Sequence, residues 1–296
     1  MVYSHHNEVE EIKYQQNVRF LAIVEHAEYD PKIFASLQPA KLFTALRDPL
    51  HRLLSNFNWD YLDGKVRARD VDSYPNIRKC LNSSNSSVPS KQQIIRCWKN
   101  SEEEVLSYAN SVAEYQLRYI GWSRGALKEG TTVEMQKSYI RHLLDSFDFL
   151  FITERFDESI VAFMMLFGLE YRDVVYLPSK GHVAKRHPEP RNLPTRLREA
   201  IEKNEYLTVY GYNYGVGLLD GKIASLDSKC APSFGSLFDA FLELQSALTL
   251  ACTGANAASF YKQYPYLESS NMNRHEDGGR NFRCLEYLTP QLAKAK

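Results

Sequence analysis

Short apolar stretches that alternate with helical patterns constrain the fold of this chain more than any other feature of its sequence. Four of them predict buried strands, at positions 17–26, 41–47, 147–153 and 173–180. After the second, Asp48 and Pro49 are the residue types of a helix N-cap and a first helical position. Because strands without polar–apolar alternation occur in parallel sheets covered by helices, the pattern predicts an α/β fold.

Helices are predicted between and after these strands. Apolar residues recur at helical spacing over positions 50–61. Ser101 and Glu104 predict a capping box at the start of a helix that runs to about position 121, and Thr131 predicts the start of the next helix. Further helices are predicted at 196–206 and 236–252, whereas positions 65–92 are predicted to be a polar loop.

Acidic residues follow the third predicted strand, at Glu154, Asp157 and Glu158. Two neighbouring carboxylates can form an acid–base pair. However, Asp157 and Glu158 are expected in the first turn of a buried helix that ends near Gly168, where negative charge favours the helix dipole. We therefore interpret these acidic residues as structural.

Size and charge limit the classes of partner. The chain has 296 residues, 44% of them hydrophobic, which is enough for a full core. We predict a single domain over 1–296, with its core at about 17–252 and a tail at 253–296. Lysine plus arginine equals aspartate plus glutamate, 36 each, so no excess of positive charge indicates nucleic acid. Neither an apolar run of about 18 residues nor a signal-peptide pattern occurs, so we expect a soluble domain.

The cysteines favour an oxidising setting. The five cysteines include no CxxC pair, so no metal site is predicted. Cys80 and Cys97 enclose a Ser/Asn-rich segment with two N-x-S sequons, and Asn82 and Asn85 are therefore the candidate glycosylation sites. Two sequons between two cysteines favour a lumenal or secreted protein, although such triplets also occur by chance in polar linkers.

Functional residues are expected where the predicted strands end, because ligands of parallel α/β sheets bind beyond the carboxyl ends of the strands. His26, Arg47, Glu154 and Lys180 follow those strands or end them. A guanidinium at Arg47 beside a helix N-terminus suits a doubly charged oxyanion, and Ser55, two turns later, adds a hydroxyl. The alternative is that Arg47 only pairs with a neighbouring carboxylate and Ser55 is a tolerated polar residue.

Two segments resemble sulfotransferases. The first, LRDPLHRLLSNFNW at 46–59, is similar to the 3′-phosphate-binding segment of the Golgi carbohydrate sulfotransferases, an RDP turn followed by R-x-x-S-x-F on a helix. The second, FDFLFITERFDESIVAFMMLFGLEYRDVVYL at 147–177, looks like a segment of the galactose-3-O-sulfotransferases. Their order and spacing also agree, and the resemblance runs from about position 20 to 214.

The resemblance implies the sulfotransferase fold, a P-loop-NTPase-like parallel sheet flanked by helices. It also implies an enzyme that transfers a sulfuryl group from 3′-phosphoadenosine 5′-phosphosulfate (PAPS) to the 3-hydroxyl of galactose. The acceptor would be a galactose-terminated glycolipid or glycoprotein glycan. The location would be the Golgi, with membrane attachment only through an anchor that this sequence does not contain.

The resemblance also assigns roles to individual residues. Arg47 and Ser55 would bind the 3′-phosphate of PAPS. His26 would accept the proton of the sugar hydroxyl, a task that suits a neutral imidazole, although the family's arginine two places on is absent here. Lys180 is a candidate nucleotide contact, with a solvated basic loop as the alternative, and the candidate acceptor contacts are Arg118 and Tyr119.

A phosphosulfate-binding turn of the K-T-(G/A)-S-(S/T) type is also expected in this family, upstream of the strand that ends at His26. No such turn occurs in the sequence. We therefore expect an N-terminally incomplete sulfotransferase fold, and two hypotheses remain. The chain is either a truncated enzyme, or a catalytically degenerate member that serves as a nucleotide- or carbohydrate-binding module.

Overall fold

A computed structural model describes residues 41–61, 74–82, 90–122, 130–176, 189–253, 262–263, 284 and 287–290. The predicted strand at 17–26 lies outside these residues. The described part is mostly helical, with a small parallel sheet of two strands. Its elements are β1 (Phe43–Leu46), α1 (Pro49–Tyr61), α2 (Pro75–Asn82), α3 (Lys91–Asn100), α4 (Glu102–Ser111), α5 (Tyr115–Tyr119), α6 (Val133–Asp145), β2 (Phe149–Ile152), α7 (Phe156–Phe167), α8 (Tyr171–Val174), α9 (Thr195–Asn204), α10 (Tyr206–Lys229) and α11 (Phe234–Cys252), with 3₁₀ turns at Thr153–Arg155 and Pro190–Asn192.

The two strands pair in parallel, which confirms the α/β prediction at this coarse level. Phe43 lies opposite Phe149 and Leu46 lies opposite Ile152, so both strands end at the same edge of the sheet. The hydroxyl of Thr153 donates to the carbonyl of Leu46 at 3.1 Å and joins the two strand ends. Residues that follow β1 and β2 are therefore neighbours.

Helix α1 begins as predicted. The Asp48 side chain accepts a hydrogen bond from the His51 amide at 2.9 Å, as an N-cap does, and Pro49 occupies the first helical position. The apolar face of α1 is buried against α2, α3, α4 and α9. The cluster that these helices form includes Leu53, Phe57, Ile77, Trp98, Tyr108 and Leu197.

The predicted helix from Ser101 towards position 121 is wrong in two respects. It breaks into α4 and α5 at Glu114, whose φ of 58° is incompatible with a right-handed helix. The Ser101 side chain makes no capping bond. The Glu104 carboxylate instead accepts from the amides of Asn76 and Ile77, at 3.0 and 2.9 Å, and so caps α2. The Glu104 carboxylate, in the first turn of α4, therefore caps the neighbouring helix α2 and not α4 itself.

Three more predictions differ from the structure. Positions 65–92 were predicted to be loop, but α2 and the first residues of α3 lie there. The next N-cap is Thr132 rather than Thr131, with its side chain accepting from the Met135 amide. The predicted strand at 173–180 begins inside α8, where Asp173 and the Glu170 amide form a capping box; positions 177–180 lie outside the described residues.

Helix α7 agrees with the sequence-based prediction. Asp157 and Glu158 lie in its first turn, and Gly168 ends it in the left-handed conformation. The fully buried Ser159 hydroxyl accepts from the Ile152 amide at 3.0 Å and donates to the Arg155 carbonyl at 2.9 Å. This one hydroxyl therefore joins the end of β2 to α7.

The 24-residue helix α10 was not predicted, because its many glycines and tyrosines give it no clear apolar stripe. Two of those glycines allow it to pack closely. A Cβ added at Gly211 would lie 3.2 Å from Cγ2 of Ile140, and one at Gly215 would lie 2.4 Å from Cδ1 of Leu46. Helix α10 therefore lies directly on the carboxyl end of β1.

Hydrophobic residues and disulfides hold the described elements together. One cluster surrounds the sheet and includes Leu46, Phe149, Ile152 and Leu219. Disulfides join Cys80 to Cys97 and Cys252 to Cys284. The helices within the described ranges include none that is long and apolar enough to cross a membrane.

Candidate functional site

Arg47 is the first residue after β1, at the edge where both strands end. Its side chain is 38% exposed, and its guanidinium makes no hydrogen bond to any residue that the structure describes. The Nε atom is buried and has no hydrogen-bond partner among the described residues, although it lies 3.9 Å from Oε1 of Glu154. Burial lowers the pKa of Arg47, while the carboxylates of Glu154 and Asp48 raise it and offset part of that shift. The end of β1 therefore carries the predicted arginine, and its guanidinium N–H groups are not bonded to any described residue.

Gln116 on α5 holds the backbone of Arg47. Its Oε1 accepts a hydrogen bond from the Arg47 amide at 2.9 Å across a sequence separation of 69 residues. The side chain is buried, and its Nε2 has no hydrogen-bond partner in the part of the chain that the structure describes. A buried unbonded donor is costly, because the group has lost its water and gained nothing in return.

Glu154 joins the ends of the two strands. Its Oε2 accepts from the Asp48 amide at 3.1 Å, and its Oε1 lies 3.9 Å from Nε of Arg47. Tyr212 on α10 hydrogen-bonds to the same carboxylate; burial raises the pKa of Tyr212, and the charge of Glu154 and this bond raise it further. The tyrosine therefore remains a neutral donor at physiological pH. The interpretation of Glu154 as structural fits these bonds.

Arg52, the second arginine of the RDPLHRLLS segment, is buried in an ion pair. Its Nη2 lies 2.5 Å from Oε1 of Glu205, and its Nη1 donates to the Val112 carbonyl at 3.2 Å. Glu205 also accepts from the Glu114 amide at 3.2 Å. This arginine therefore stabilises the contact between α1, α9 and the turn before α5, and is not available to a ligand.

Ser55 lies in the second turn of α1 and is half-buried. Its hydroxyl makes no hydrogen bond within the ranges that the structure covers. The helix rises about 1.5 Å per residue, so Ser55 lies roughly 10 Å along the axis from the N-cap. The structure describes no contact between Ser55 and Arg47.

Arg118 and Tyr119, the predicted acceptor contacts, lie on α5 with Gln116. Arg118 is exposed and donates to the Ala113 carbonyl at 3.2 Å, while the Tyr119 hydroxyl bonds to that of Tyr115 at 2.5 Å. Two residues correspond to about 200° around a helix, so Arg118 faces away from the side on which Gln116 meets Arg47. Trp122, by contrast, is buried in the core.

Other predicted site residues are His26, Lys180 and Asn85, which all lie outside the described residues. Asn82 is the last residue of α2, two positions after the disulfide-bonded Cys80. The disulfide to Cys97 therefore closes the segment that carries both sequons.

Gln116, Tyr212 and Glu205 are the polar residues that sequence reasoning missed here. Gln116 carried a weak signal, because it was the polar member of an otherwise apolar helical stripe. Tyr212 and Glu205 carried none, because their partners are distant in the sequence. Within the described ranges, no group of three or more His, Cys, Asp or Glu side chains is arranged to hold a metal ion.

No family model, curated protein or solved structure matches this chain significantly. None of these comparisons supports the expected galactose-3-O-sulfotransferase family, and that expectation rests on the two sequence segments at 46–59 and 147–177.

Proposed function

We propose that this chain is a sulfotransferase of the galactose-3-O-sulfotransferase type, with the sulfotransferase fold and PAPS as its sulfuryl donor. The acceptor would be the 3-hydroxyl of a terminal galactose on a glycolipid or glycan in the Golgi. The observation that carries this proposal is Arg47, a partly exposed guanidinium at the carboxyl end of a parallel strand and directly before a helix N-terminus.

Arg47 suits the 3′-phosphate of PAPS for electrostatic reasons. A guanidinium donates two parallel hydrogen bonds to a phosphate, and the α1 N-terminus adds positive potential. Gln116 and Glu154 hold the backbone N–H groups on either side of the Arg47 side chain, those of Arg47 and Asp48. Rigid placement of the nucleotide at a phosphate remote from the sulfur orients the sulfur for attack.

In the proposed reaction, the galactose hydroxyl oxygen attacks sulfur in line with the bond to the leaving 5′-phosphate oxygen. The new sugar O–S bond forms as that S–O bond breaks, and adenosine 3′,5′-bisphosphate leaves. The hydroxyl proton passes to the proposed base, His26. Ser55 adds a hydroxyl to the 3′-phosphate in this scheme.

Calorimetric titration of the full chain tests the nucleotide site. We expect adenosine 3′,5′-bisphosphate to bind at least tenfold more tightly than adenosine 5′-monophosphate, which lacks the 3′-phosphate. Arg47→Ala should remove this preference. Arg47→Lys should retain part of it, because lysine keeps the positive charge but cannot donate two parallel hydrogen bonds to one phosphate. The control is Arg172→Ala, which removes an arginine paired with Glu170 at 3.0 Å. Equal preference in Arg47→Ala and the unmodified chain overturns the proposal.

Transfer itself is tested by incubating the chain with labelled PAPS and a galactoside. Sulfation at the 3-hydroxyl that is lost in His26→Ala supports the enzyme and its base. Binding of the bisphosphate without transfer supports instead a degenerate, nucleotide-binding member of the fold.

A further inference from the structure

We propose, on the basis of the function above, that Gln116 is a second phosphate-binding residue of the Arg47 site. Its side-chain amide would donate a hydrogen bond to the same 3′-phosphate that Arg47 binds. The sequence resemblance assigns no role to this glutamine. Three observations carry the inference: the position of Gln116, its unused donor, and the contrast with another buried glutamine.

The position follows from the bond to Arg47. Because Oε1 of Gln116 accepts from the Arg47 amide, the orientation of the carboxamide is fixed, and Nε2 is the free end. An amide C=O bond is about 1.23 Å and a C–N bond about 1.33 Å, so Nε2 lies within about 5.5 Å of the Arg47 nitrogen. The free donor is therefore part of the strand-end site.

The Nε2 donor of Gln116 is not used within the described part of the chain. Gln116 is only 8% exposed, yet its Nε2 has no hydrogen-bond partner among the described residues, and the same holds for the buried Nε of Arg47. Six buried side-chain N or O atoms of the described residues are unbonded, and these two belong to residues that a hydrogen bond joins at the strand end. Nearly all buried donors in folded proteins are bonded, so this pair suits a ligand that supplies acceptors. A phosphate supplies several acceptor oxygens, more than one guanidinium satisfies.

Gln245 shows what a buried glutamine does when its role is only structural. It is also 8% exposed, but both ends of its amide are bonded to the backbone of Tyr176, with Oε1 accepting from the amide and Nε2 donating to the carbonyl. In Gln116, by contrast, only Oε1 is hydrogen-bonded to a described residue.

The test compares the affinities for adenosine 3′,5′-bisphosphate and adenosine 5′-monophosphate in variants of the full chain. Gln116→Met keeps an unbranched side chain and removes the donor. We expect it to lower the preference for the bisphosphate about tenfold, the loss typical of one hydrogen bond to a charged group. The matched control, Gln245→Met, should leave the preference unchanged.

A double variant separates direct contact from an effect through Arg47. If Gln116 touches the phosphate, Gln116→Met lowers the affinity for the bisphosphate further in the Arg47→Ala background, which phosphorus NMR at millimolar ligand can measure. No further loss there means that Gln116 only holds Arg47, and overturns the inference. An unchanged preference in Gln116→Met, with a lowered one in Arg47→Ala, also overturns it while sparing the proposed function. If Arg47→Ala itself keeps the preference, both fail.

Discussion

Oε1 of Glu154 lies 3.9 Å from Nε of Arg47, while Oε2 of the same carboxylate accepts a hydrogen bond from the Asp48 amide. One side chain thus fixes the turn after β1 and places negative charge beside the proposed phosphate contact. Two unit charges a few ångströms apart interact by about 1 kcal/mol in water-like surroundings. Glu154 therefore holds the turn in place, and its charge should oppose binding of the proposed phosphate there.

Glu154→Gln should tighten phosphate binding. The glutamine keeps an oxygen for the Asp48 amide and loses the charge, so we expect the Kd for adenosine 3′,5′-bisphosphate to fall about three- to tenfold. Titration calorimetry at low salt measures the change. Glu158→Gln is the control, because Glu158 is bound by Arg155 at 3.1 Å in the next turn. Unchanged or weaker binding in Glu154→Gln would contradict the placement of the phosphate at Arg47.

Breaking the buried pair of Arg52 and Glu205 should destabilise the helical cluster around α1. Both side chains are almost fully buried and lie 2.5 Å apart. Removing one partner leaves the other charge buried and unpaired. Arg52→Met should therefore lower the free energy of unfolding by about 3–5 kcal/mol. Urea unfolding measures the loss.

A double replacement, Arg52→Met with Glu205→Leu, should cost less than the two single replacements together, because it leaves no unpaired charge. The exposed arginine of the Arg172–Glu170 pair gives the surface reference, and Arg172→Met should cost no more than about 1 kcal/mol. Additive effects of the two core replacements would show that the pair is not coupled.

The elements that the sequence predicted well are those whose signals are local. Strands β1 and β2, the N-cap Asp48 and the terminating Gly168 each depend on a few adjacent residues. Helix α10 was not predicted, because its glycines are explained only by the residues that they pack against. Those residues, Leu46 and Ile140, are distant in the sequence. The role of Glu104 was misassigned for the same reason, since its partners are 27 and 28 residues away.

The residues of the candidate site also differ in whether their sequence signals are local or depend on distant partners. Arg47 was predicted because a strand, an arginine and a helix start follow one another in the sequence. Gln116 and Tyr212 reach that site from α5 and α10, and no spacing rule connects residues of separate helices before the fold is known. Arg52 was part of the recognised segment, yet its position on the buried side of α1 gives it a structural role.

Alkaline pH should weaken one contact between α7 and the segment after α8. The Tyr176 hydroxyl donates to Asp157 at 2.6 Å. Burial, followed by this bond and the Asp157 charge, raises the pKa of Tyr176 above the value of about 10 for an unfolded chain. Because the folded state holds the proton more tightly, the stabilisation is complete below pH 10 and is lost as the pH rises above it.

Tyr176→Phe removes that contribution. The difference in unfolding free energy between the unmodified chain and this variant should be constant from pH 7 to about pH 9 and should shrink above about pH 10. Urea unfolding at several pH values measures it. A difference that stays constant through pH 11 would show that the folded-state pKa is not raised.

Among the glycines of α10, Gly215 should be the costliest to replace by alanine, because an added Cβ comes closest to a neighbouring side chain there. Alanine normally stabilises a helix interior relative to glycine by about 0.5–1 kcal/mol. At Gly215, however, the added methyl would lie 2.4 Å from Cδ1 of Leu46, which is buried and directly precedes Arg47. We expect Gly215→Ala to lower the free energy of unfolding by about 1–3 kcal/mol, the typical cost of overpacking, and to weaken binding of adenosine 3′,5′-bisphosphate.

Gly217 is the matched control on the same helix, because nothing lies within 4 Å of a Cβ added there. Gly217→Ala should raise the free energy of unfolding by about 0.5–1 kcal/mol and leave the bisphosphate affinity unchanged. Urea unfolding and titration calorimetry of both variants measure these effects. Equal stability of the two alanine variants would show that α10 does not rest on the end of β1. Loss of stability in Gly215→Ala without loss of affinity would separate the packing of Leu46 from the placement of Arg47.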